Sequence, residues 1–399
     1  MRLKEFLEKN NLLIPNYSNF DKKQITIVDL MKLIYSYCGG DMKLTKGSYE
    51  LKKYVKNKKH IILILSDGTG SNLIDSLSDT SILKENKIKN LITVFPSTTA
   101  CVLNTIATAE YPDVHGIIGW YSYLREKKIN YCPLTFKNRI TDFNLKEEGV
   151  FSKDVFRIDS VMNKLKRKTV AFFPIKNVNS EFSKYMLKIN RIPYENLEDA
   201  FEKLATYIIN NEEEKTFSYL YLPYIDSLEH AYGVFSKEVR DMVLKIEYEI
   251  KKILNKKIDD TEIIFTADHG QIDIFEKGVL MDFKKYDKYF YALPAIDYGT
   301  STFYVKEDKQ KEFEKEFKKD FKEKMYLFKT EEFLKNYFFG EHRENFKYLN
   351  ENLGEYISLC ANNTFFINTT WNQFKYLGKI KGNHSGLSKD EMEIPLIIL

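Results

Sequence analysis

The sequence predicts an α/β fold: a three-layer α/β/α sandwich around a mostly parallel sheet, with a small α+β insertion. Two observations predict it. Short apolar or β-branched runs recur with amphipathic stretches between them, and they lack the polar alternation of a half-exposed strand. Strands of that kind belong in a sheet covered on both faces. The segment from about 290 to 375 then changes texture, mixing Lys and Glu with regularly spaced aromatic residues.

In chain order, His60 to Ser66 reads as a buried strand, Asp67-Gly68-Thr69-Gly70 as a turn, and Asn72 to Leu77 as the start of a helix. Leu91 to Phe95 is a second strand, stopped by Pro96. A helical stretch from Ser160 to Lys166 precedes a third strand, Thr169 to Phe173. Phe217 to Leu222 and Glu262 to Thr266 are the fourth and fifth strands. The helix between them repeats Val239, Met242, Val243, Ile246, Ile250 and Ile253 on one face. In the insertion, Thr302 to Val305 reads as an edge strand, and Phe313, Phe317 and Phe321 stripe a helix that docks its Phe side. Ile394 to Leu399 closes the core as a final strand.

Composition excludes several classes of function. The 399 residues carry 61 Lys+Arg against 57 Asp+Glu, a net charge of +4, with no basic tract. Nothing in that balance calls for a nucleic-acid polymer or an anionic membrane. The most apolar runs, Ile61 to Leu65 and Ile394 to Leu399, fall far short of the ~18 residues a spanning helix needs. Residues 1–9 alternate charges with hydrophobes, unlike a signal peptide. Cys38, Cys101, Cys132 and Cys360 are scattered without a CxxC pair, so reduced thiols in a cytoplasmic protein are expected.

The residues suited to chemistry lie just after the predicted strands. In a parallel sheet, those loops share one crest, where ligands bind. Of six histidines (His60, His115, His230, His269, His342, His384), three stand beside carboxylates or glycines in such loops. Asp67 follows the first strand, Asp226 with His230 the fourth, and Asp268-His269-Gly270 the fifth. His384 lies in Gly382-Asn383-His384-Ser385-Gly386, before the last strand. Singly, an Asp at a strand end is a turn former or helix cap, and an Asp four residues before a His is a helix-surface pair. Together, three Asp and three His on one crest are the ligand mix of a two-zinc site, with Mn²⁺ as the alternative metal. His60, at the opposite end of its strand, reads as structural. The loop Phe95-Pro96-Ser97-Thr98-Thr99-Ala100-Cys101 adds three hydroxyls ahead of an apolar helix. A hydroxyl is a poor nucleophile near neutral pH, and coordination to zinc removes that obstacle. Spacing alone does not choose among Ser97, Thr98 and Thr99.

The ordered set Asp67-Gly68, Phe95-Pro96-Ser97-Thr98-Thr99, Tyr111-Pro112-Asp113-Val114-His115-Gly116-Ile117, Asp226-x-x-x-His230, Ala267-Asp268-His269-Gly270 and Gly382-Asn383-His384 resembles the alkaline phosphatase superfamily. Within it, the chain resembles the nucleotide pyrophosphatase/phosphodiesterase branch, particularly its soluble bacterial relatives, over roughly residues 60 to 399. The resemblance implies that the nucleophile, three residues beyond the Pro, is Thr99. It implies one metal held by Asp226, His230 and His384, and another held by Asp67, Asp268, His269 and Thr99. His115 then has a packing or turn role. Trp120 stands where that branch has an Asn that helps hold a phosphate oxygen, a departure that bears on substrate class rather than on metals. Trp120 and Tyr121 read either as stackers on a base or as core. The implied activity is metal-dependent hydrolysis of phosphodiester or phosphoanhydride bonds in small nucleotide-type substrates, through a phospho-threonine intermediate. A phosphomonoesterase or phosphonate hydrolase on the same metal core is the alternative, and a non-catalytic phospholigand-binding protein a third reading. The implied organisation is an N-terminal helical segment over 1–58, a metallo-phosphoesterase core over 59–289 and 376–399, and a cap over 290–375.

Overall fold

A computed structural model describes residues 2–15, 17, 24–275, 278–341, 347–361, 364–368 and 378–399; His342 lies outside the described residues. Eleven strands matter for the site. They are β1 (His60–Ser66), β2 (Lys87–Ile92), β3 (Lys168–Pro174), β4 (Asn190–Tyr194), β5 (Thr216–Leu222), β6 (Thr261–Thr266), β7 (Ala295–Ile296), β8 (Thr300–Phe303), β9 (Met325–Lys329), β10 (Tyr356–Cys360) and β11 (Glu393–Ile398). Six helices frame them: α1 (Ile27–Tyr37), α2 (Thr99–Thr108), α3 (Leu197–Ile209), α4 (Tyr224–Tyr232), α5 (Lys237–Asn255) and α6 (Gln310–Phe321).

The central sheet runs β2-β11-β6-β1-β5-β3-β4. Its β6, β1, β5, β3 and β4 pair in parallel, and β11 is antiparallel to both of its neighbours. The period-2 alternation of β1 explains the layers. Ile61, Leu63 and Leu65 pack with α1 and α2, whereas Ile62 and Ile64 pack with α3 and the Val239–Ile253 stripe of α5. Both faces are therefore buried, and the mostly parallel α/β/α sandwich expected from the apolar runs is observed.

Three local expectations change. The second strand lies earlier than Leu91–Phe95: β2 occupies an edge of the sheet, pairing with β11 and, at Ile92 alone, bridging to Thr26, so its half-exposed Lys87 to Asn90 needed no apolar run. Ser160–Lys166 contributes only a single 3₁₀ turn, Met162–Lys164, because Leu165 is already extended on the way into β3. The strand placed at Thr302–Val305 is β8, and it lies between β7 and β10 rather than at an edge. Its hydroxyls escaped notice as core because each is satisfied internally. Thr300 Oγ1 donates to Ser385 O (2.6 Å), Ser301 Oγ to Asp297 O (2.9 Å) and Thr302 Oγ1 to Tyr356 O (3.0 Å).

Around this second sheet, Phe313, Phe317 and Phe321 of α6 are all buried and pack on Phe303, Tyr356 and Phe366. Near the N-terminus, Leu3, Phe6 and Leu7 join one apolar cluster with Phe95, Phe328 and Phe333. All four cysteines are unpaired, three of them buried and Cys360 half-buried. Among the described residues, no helix is long and apolar enough to cross a membrane.

Candidate metal centre

The crest loops are fastened to one another before any side chain is considered. Asp67 N–H donates to Leu222 O (2.9 Å) and Asp226 N–H to Asp67 O (3.0 Å), so the loops after β1 and β5 are held side by side. Gly68, at φ +79°, permits this approach, since a Cβ there would lie 2.7 Å from Asp226 Cα.

Asp67 follows β1, Asp268 and His269 follow β6, and their ligand atoms lie within 4.8 Å of one another. Asp226, His269 and His384 form a second such group. His269 thus bridges the two, its ring stacked on that of His384 with centroids 3.9 Å apart. His230, one turn beyond Asp226 on α4, places Nε2 3.3 Å from Asp226 Oδ1, and His384 Nε2 lies 3.7 Å from the same oxygen. All six residues converge.

The three imidazoles are aimed in the same way. Each uses Nδ1 toward a backbone carbonyl: His230 to Gly382 O (2.8 Å), His269 to Gly270 O (3.1 Å) and His384 to Ser97 O (2.9 Å). A carbonyl only accepts, so Nδ1 carries a proton and Nε2 is the nitrogen turned to the cluster, the atom that would coordinate a cation. That outer arrangement is what metal-ligating histidines use.

The three hydroxyls of the loop ahead of α2 separate cleanly. Ser97 Oγ donates to Gly386 O (3.0 Å) and Thr98 Oγ1 to Asp297 Oδ2 (2.8 Å). Only Thr99 faces the cluster, with Oγ1 3.2 Å from His269 Nε2 and 3.4 Å from Asp67 Oδ1. It opens α2, whose residues are buried throughout.

The electrostatics favour a cation. Burial, then the neighbouring Asp268 and Asp226, push the Asp67 carboxyl well above its ordinary range. Burial pushes Asp268 up to about 7. For Asp226, burial acts upward, but the adjacent His230 outweighs it and holds the carboxyl low. Reciprocally, His230 is raised to about 9 despite its burial, by Asp226. Asp268 Oδ2 is fully buried yet has no hydrogen-bond partner. Two buried carboxylates, the half-buried Asp226, three oriented imidazoles and an orphaned carboxylate oxygen are a donor set that fits divalent zinc or manganese.

Sequence reasoning missed several residues here. Tyr221 OH donates to Asp67 Oδ2, and Gln271 Nε2 donates to Asp226 Oδ1 (2.7 Å). Asp297, from the insertion, accepts the Thr98 hydroxyl. Tyr221 carried a readable signal, one residue before the end of a strand leading to Asp226. Asp297 carried none, since Ile-Asp-Tyr-Gly reads as an ordinary turn. His60 and His115 stand apart from the centre. His60 Nδ1 pairs with the Thr216 hydroxyl (2.9 Å), and His115 lies between the Thr105 hydroxyl (3.0 Å) and Ile117 N–H (3.2 Å). Beside Thr99 opens a cleft of about 230 Å³ lined by Trp120, Leu134, Phe173, Asn177, Ser180, Tyr221 and others. Trp120 therefore faces the site, whereas Tyr121 packs among buried residues beneath the Arg139 guanidinium.

The fold is similar to murine ectonucleotide pyrophosphatase/phosphodiesterase 5, with a TM-score of 0.62 and 15% identity over 84% of this chain and 87% of that one. An inactive variant of the murine protein in complex with AMP gives a TM-score of 0.61, with 13% identity. Curated relatives include ectonucleotide pyrophosphatase/phosphodiesterase family member 7 of Mus musculus, 26% identical over 138 residues, or 32% of this chain and 31% of that protein. GPI ethanolamine phosphate transferase 1 of Yarrowia lipolytica is 28% identical over 102 residues, or 23% of this chain and 11% of that protein. The chain thus matches about a third of the length of the one curated relative and a tenth of the other. The model of the type I phosphodiesterase/nucleotide pyrophosphatase family matches residues 61–386, the span that contains every residue of the centre. The chain belongs to the type I phosphodiesterase/nucleotide pyrophosphatase family, within the alkaline phosphatase superfamily.

Proposed function

We propose that this chain hydrolyses phosphodiester or phosphoanhydride bonds in small nucleotide-type substrates, using Thr99 as nucleophile and two zinc ions per chain, with manganese as the alternative metal. One observation carries the reading: of three hydroxyls in the loop, Thr99 alone is turned toward the acid–imidazole cluster. Asp226, His230 and His384 would hold one ion, and Asp67, Asp268, His269 and Thr99 the other. Bound cations supply the positive charge that lowers a hydroxyl pKa and neutralises a transferring phosphoryl group.

Thr99 Oγ1 passes its proton to solvent and attacks phosphorus; the Oγ1–P bond forms while the bond to the leaving oxygen breaks, and that oxygen departs with a proton taken up from solvent. A water oxygen then bonds to phosphorus as the Oγ1–P bond breaks, the phosphate product leaves, and a proton from that water restores the Thr99 hydroxyl. Fixed Nδ1 contacts keep the three imidazoles oriented, so little reorganisation accompanies the charge transfer. In the adjoining cleft, Trp120 and Phe173 offer apolar walls, and Asn177 and Ser180 offer polar atoms, for the organic part of the substrate. The AMP complex of the murine neighbour supports a nucleotide there. Segment 290–375 acts as a cap beside the core and 1–58 as a helical segment packed on it. Four unpaired cysteines support a cytoplasmic setting.

The test is to count metals in purified protein and to compare a chromogenic phosphodiester with the matching phosphomonoester, wild type against Thr99→Ala. About two zincs per chain, faster diester turnover and an inactive mutant are expected. Wild-type turnover by Thr99→Ala removes Thr99 from the mechanism, and faster monoester turnover favours the phosphomonoesterase.

A further inference from the structure

Thr98 is the N-cap of α2, a position where a Thr hydroxyl ordinarily accepts a hydrogen bond from the first turn of the helix. Here it makes no capping bond. The hydroxyl, in a fully buried residue, instead donates to Asp297 Oδ2 at 2.8 Å, across 199 residues of sequence. Asp297 is itself buried, and its Oδ1 accepts the Tyr298 N–H (2.9 Å).

The backbone that delivers Asp297 is strained. Ile296, a β-branched residue, sits at φ +78°, a conformation such residues avoid. It is clamped there by paired bonds with Tyr121 (3.0 and 2.9 Å) and by Gly119, where a Cβ would fall 2.5 Å from Ile296 Cα. On the other side stands Ser385, also at positive φ (+85°) and next to His384. Its Oγ accepts from Gly299 N–H (2.9 Å) and Thr300 N–H (3.3 Å), while its own N–H donates to Ser97 O (3.0 Å). Two non-glycine residues held in the left-handed region thus flank one turn, and Ser385 is bonded directly to the loop that carries Thr98 and Thr99. Strain of this kind persists only where surrounding contacts impose it, and it gathers where geometry serves function.

We infer that Asp297 is a positioning residue for the reaction: through Thr98 it fixes the start of α2 so that Thr99 Oγ1 points at the cluster. The inference rests on the reading of Thr99 as nucleophile. It makes the turn from 296 to 300, within the insertion, a working part of the centre rather than a cover over it. The carboxylate acts only by accepting the Thr98 hydroxyl and is not placed on the substrate.

The test compares Thr98→Val, nearly isosteric, with Thr98→Ser and Asp297→Ala in the zinc-loaded full chain on a phosphodiester. A misplaced nucleophile costs roughly 10- to 100-fold in turnover. Thr98→Val and Asp297→Ala are each expected to lower kcat by that factor, with KM and zinc per chain at wild-type values. Thr98→Ser, which keeps the donor, is expected to restore kcat to within about threefold. The double variant Thr98→Val/Asp297→Ala is expected to be no slower than the slower single, since both break one link. Wild-type kcat in Thr98→Val beside an inactive Thr99→Ala overturns the positioning role alone, as does a double variant whose losses multiply. If Asp297→Ala loses its zinc or fails to fold, the Val-against-Ser comparison at position 98 still decides. Turnover surviving in Thr99→Ala overturns the nucleophile and this inference with it.

Discussion

Replacing Tyr221 by Phe isolates the contribution of one hydrogen bond to metal affinity. The hydroxyl donates to Asp67 Oδ2, leaving Oδ1 turned toward Thr99 and His269. Burial, followed by the Asp67 charge, pushes the Tyr221 hydroxyl well above its usual range, so it remains a donor across the working pH. The ring is held independently by stacking on Phe173, at 5.1 Å between centroids and 24° between planes. Phenylalanine therefore keeps the packing and removes only the donor. A hydrogen bond to a charged group contributes about 1.5–3 kcal/mol, and outer partners of metal ligands are worth about 10- to 100-fold in affinity, or about 1.4–2.7 kcal/mol. The two ranges agree, so Tyr221→Phe is expected to weaken binding of the Asp67-side ion by roughly one to two orders of magnitude. Titrating metal-free protein with zinc against a chromophoric chelator resolves the two sites. The Asp226-side affinity should stay within a few-fold of wild type. Unchanged affinity at both sites would falsify the claim that Tyr221 orients Asp67 for a cation.

Other outcomes follow from burial and charge. Without ions, Asp67 and Asp268 keep their protons to higher pH than the unfolded chain does, so stability falls as pH climbs above about 4; for Asp268 the fall runs to about 7, at about 1.4 kcal/mol per unit. A chelator should therefore lower Tm more at pH 8 than at pH 5.5, and equal drops would count against the acid cluster. Burial pulls the His115 imidazole down to about 3, so its contribution is intact above the unfolded pKa near 6.5 and is lost as pH falls toward 3. Between pH 6.5 and 5 it removes about 2 kcal/mol, and urea unfolding of His115→Gln should show a correspondingly flatter acid slope. Phe313→Ala empties a buried site ringed by Tyr286, Tyr289, Phe290, Phe303, Phe317 and Tyr356, and should cost about 3–5 kcal/mol in denaturant unfolding.

What could be read from the chain follows from which signals are local. Strands buried on both faces, such as β1 and β5, announce themselves as apolar runs, and Asp or His placed just after them inherits a known crest. β2 was misjudged because an edge strand needs no such run. β8 was misjudged because Thr300, Ser301 and Thr302 look polar until their partners, more than 50 residues away for two of them, are in view. The convergence of three Asp and three His was legible because they stand in or beside the loops that follow or precede strands. Choosing Thr99 over its neighbours was not a matter of spacing. It depends on Ser97 and Thr98 being engaged by Gly386 and Asp297, contacts that only the folded chain creates.

Those contacts also tie the acid–imidazole cluster and the placement of Thr99 into one unit. Ser97 O accepts both the His384 imidazole and the Ser385 N–H, so the loop that presents Thr99 also orients a ligand of the opposite group. His269, stacked on His384, lies 3.2 Å from the Thr99 hydroxyl and belongs to both ligand groups. A displacement of the loop would therefore move a ligand, and loss of a cation would release like charges against the same loop. Asp67, Asp268 and the half-buried Asp226 packed this closely cannot ionise together in the metal-free chain without cost, since uncompensated buried charge is expensive. A bound divalent cation would offset that cost, which would link metal occupancy to folding stability.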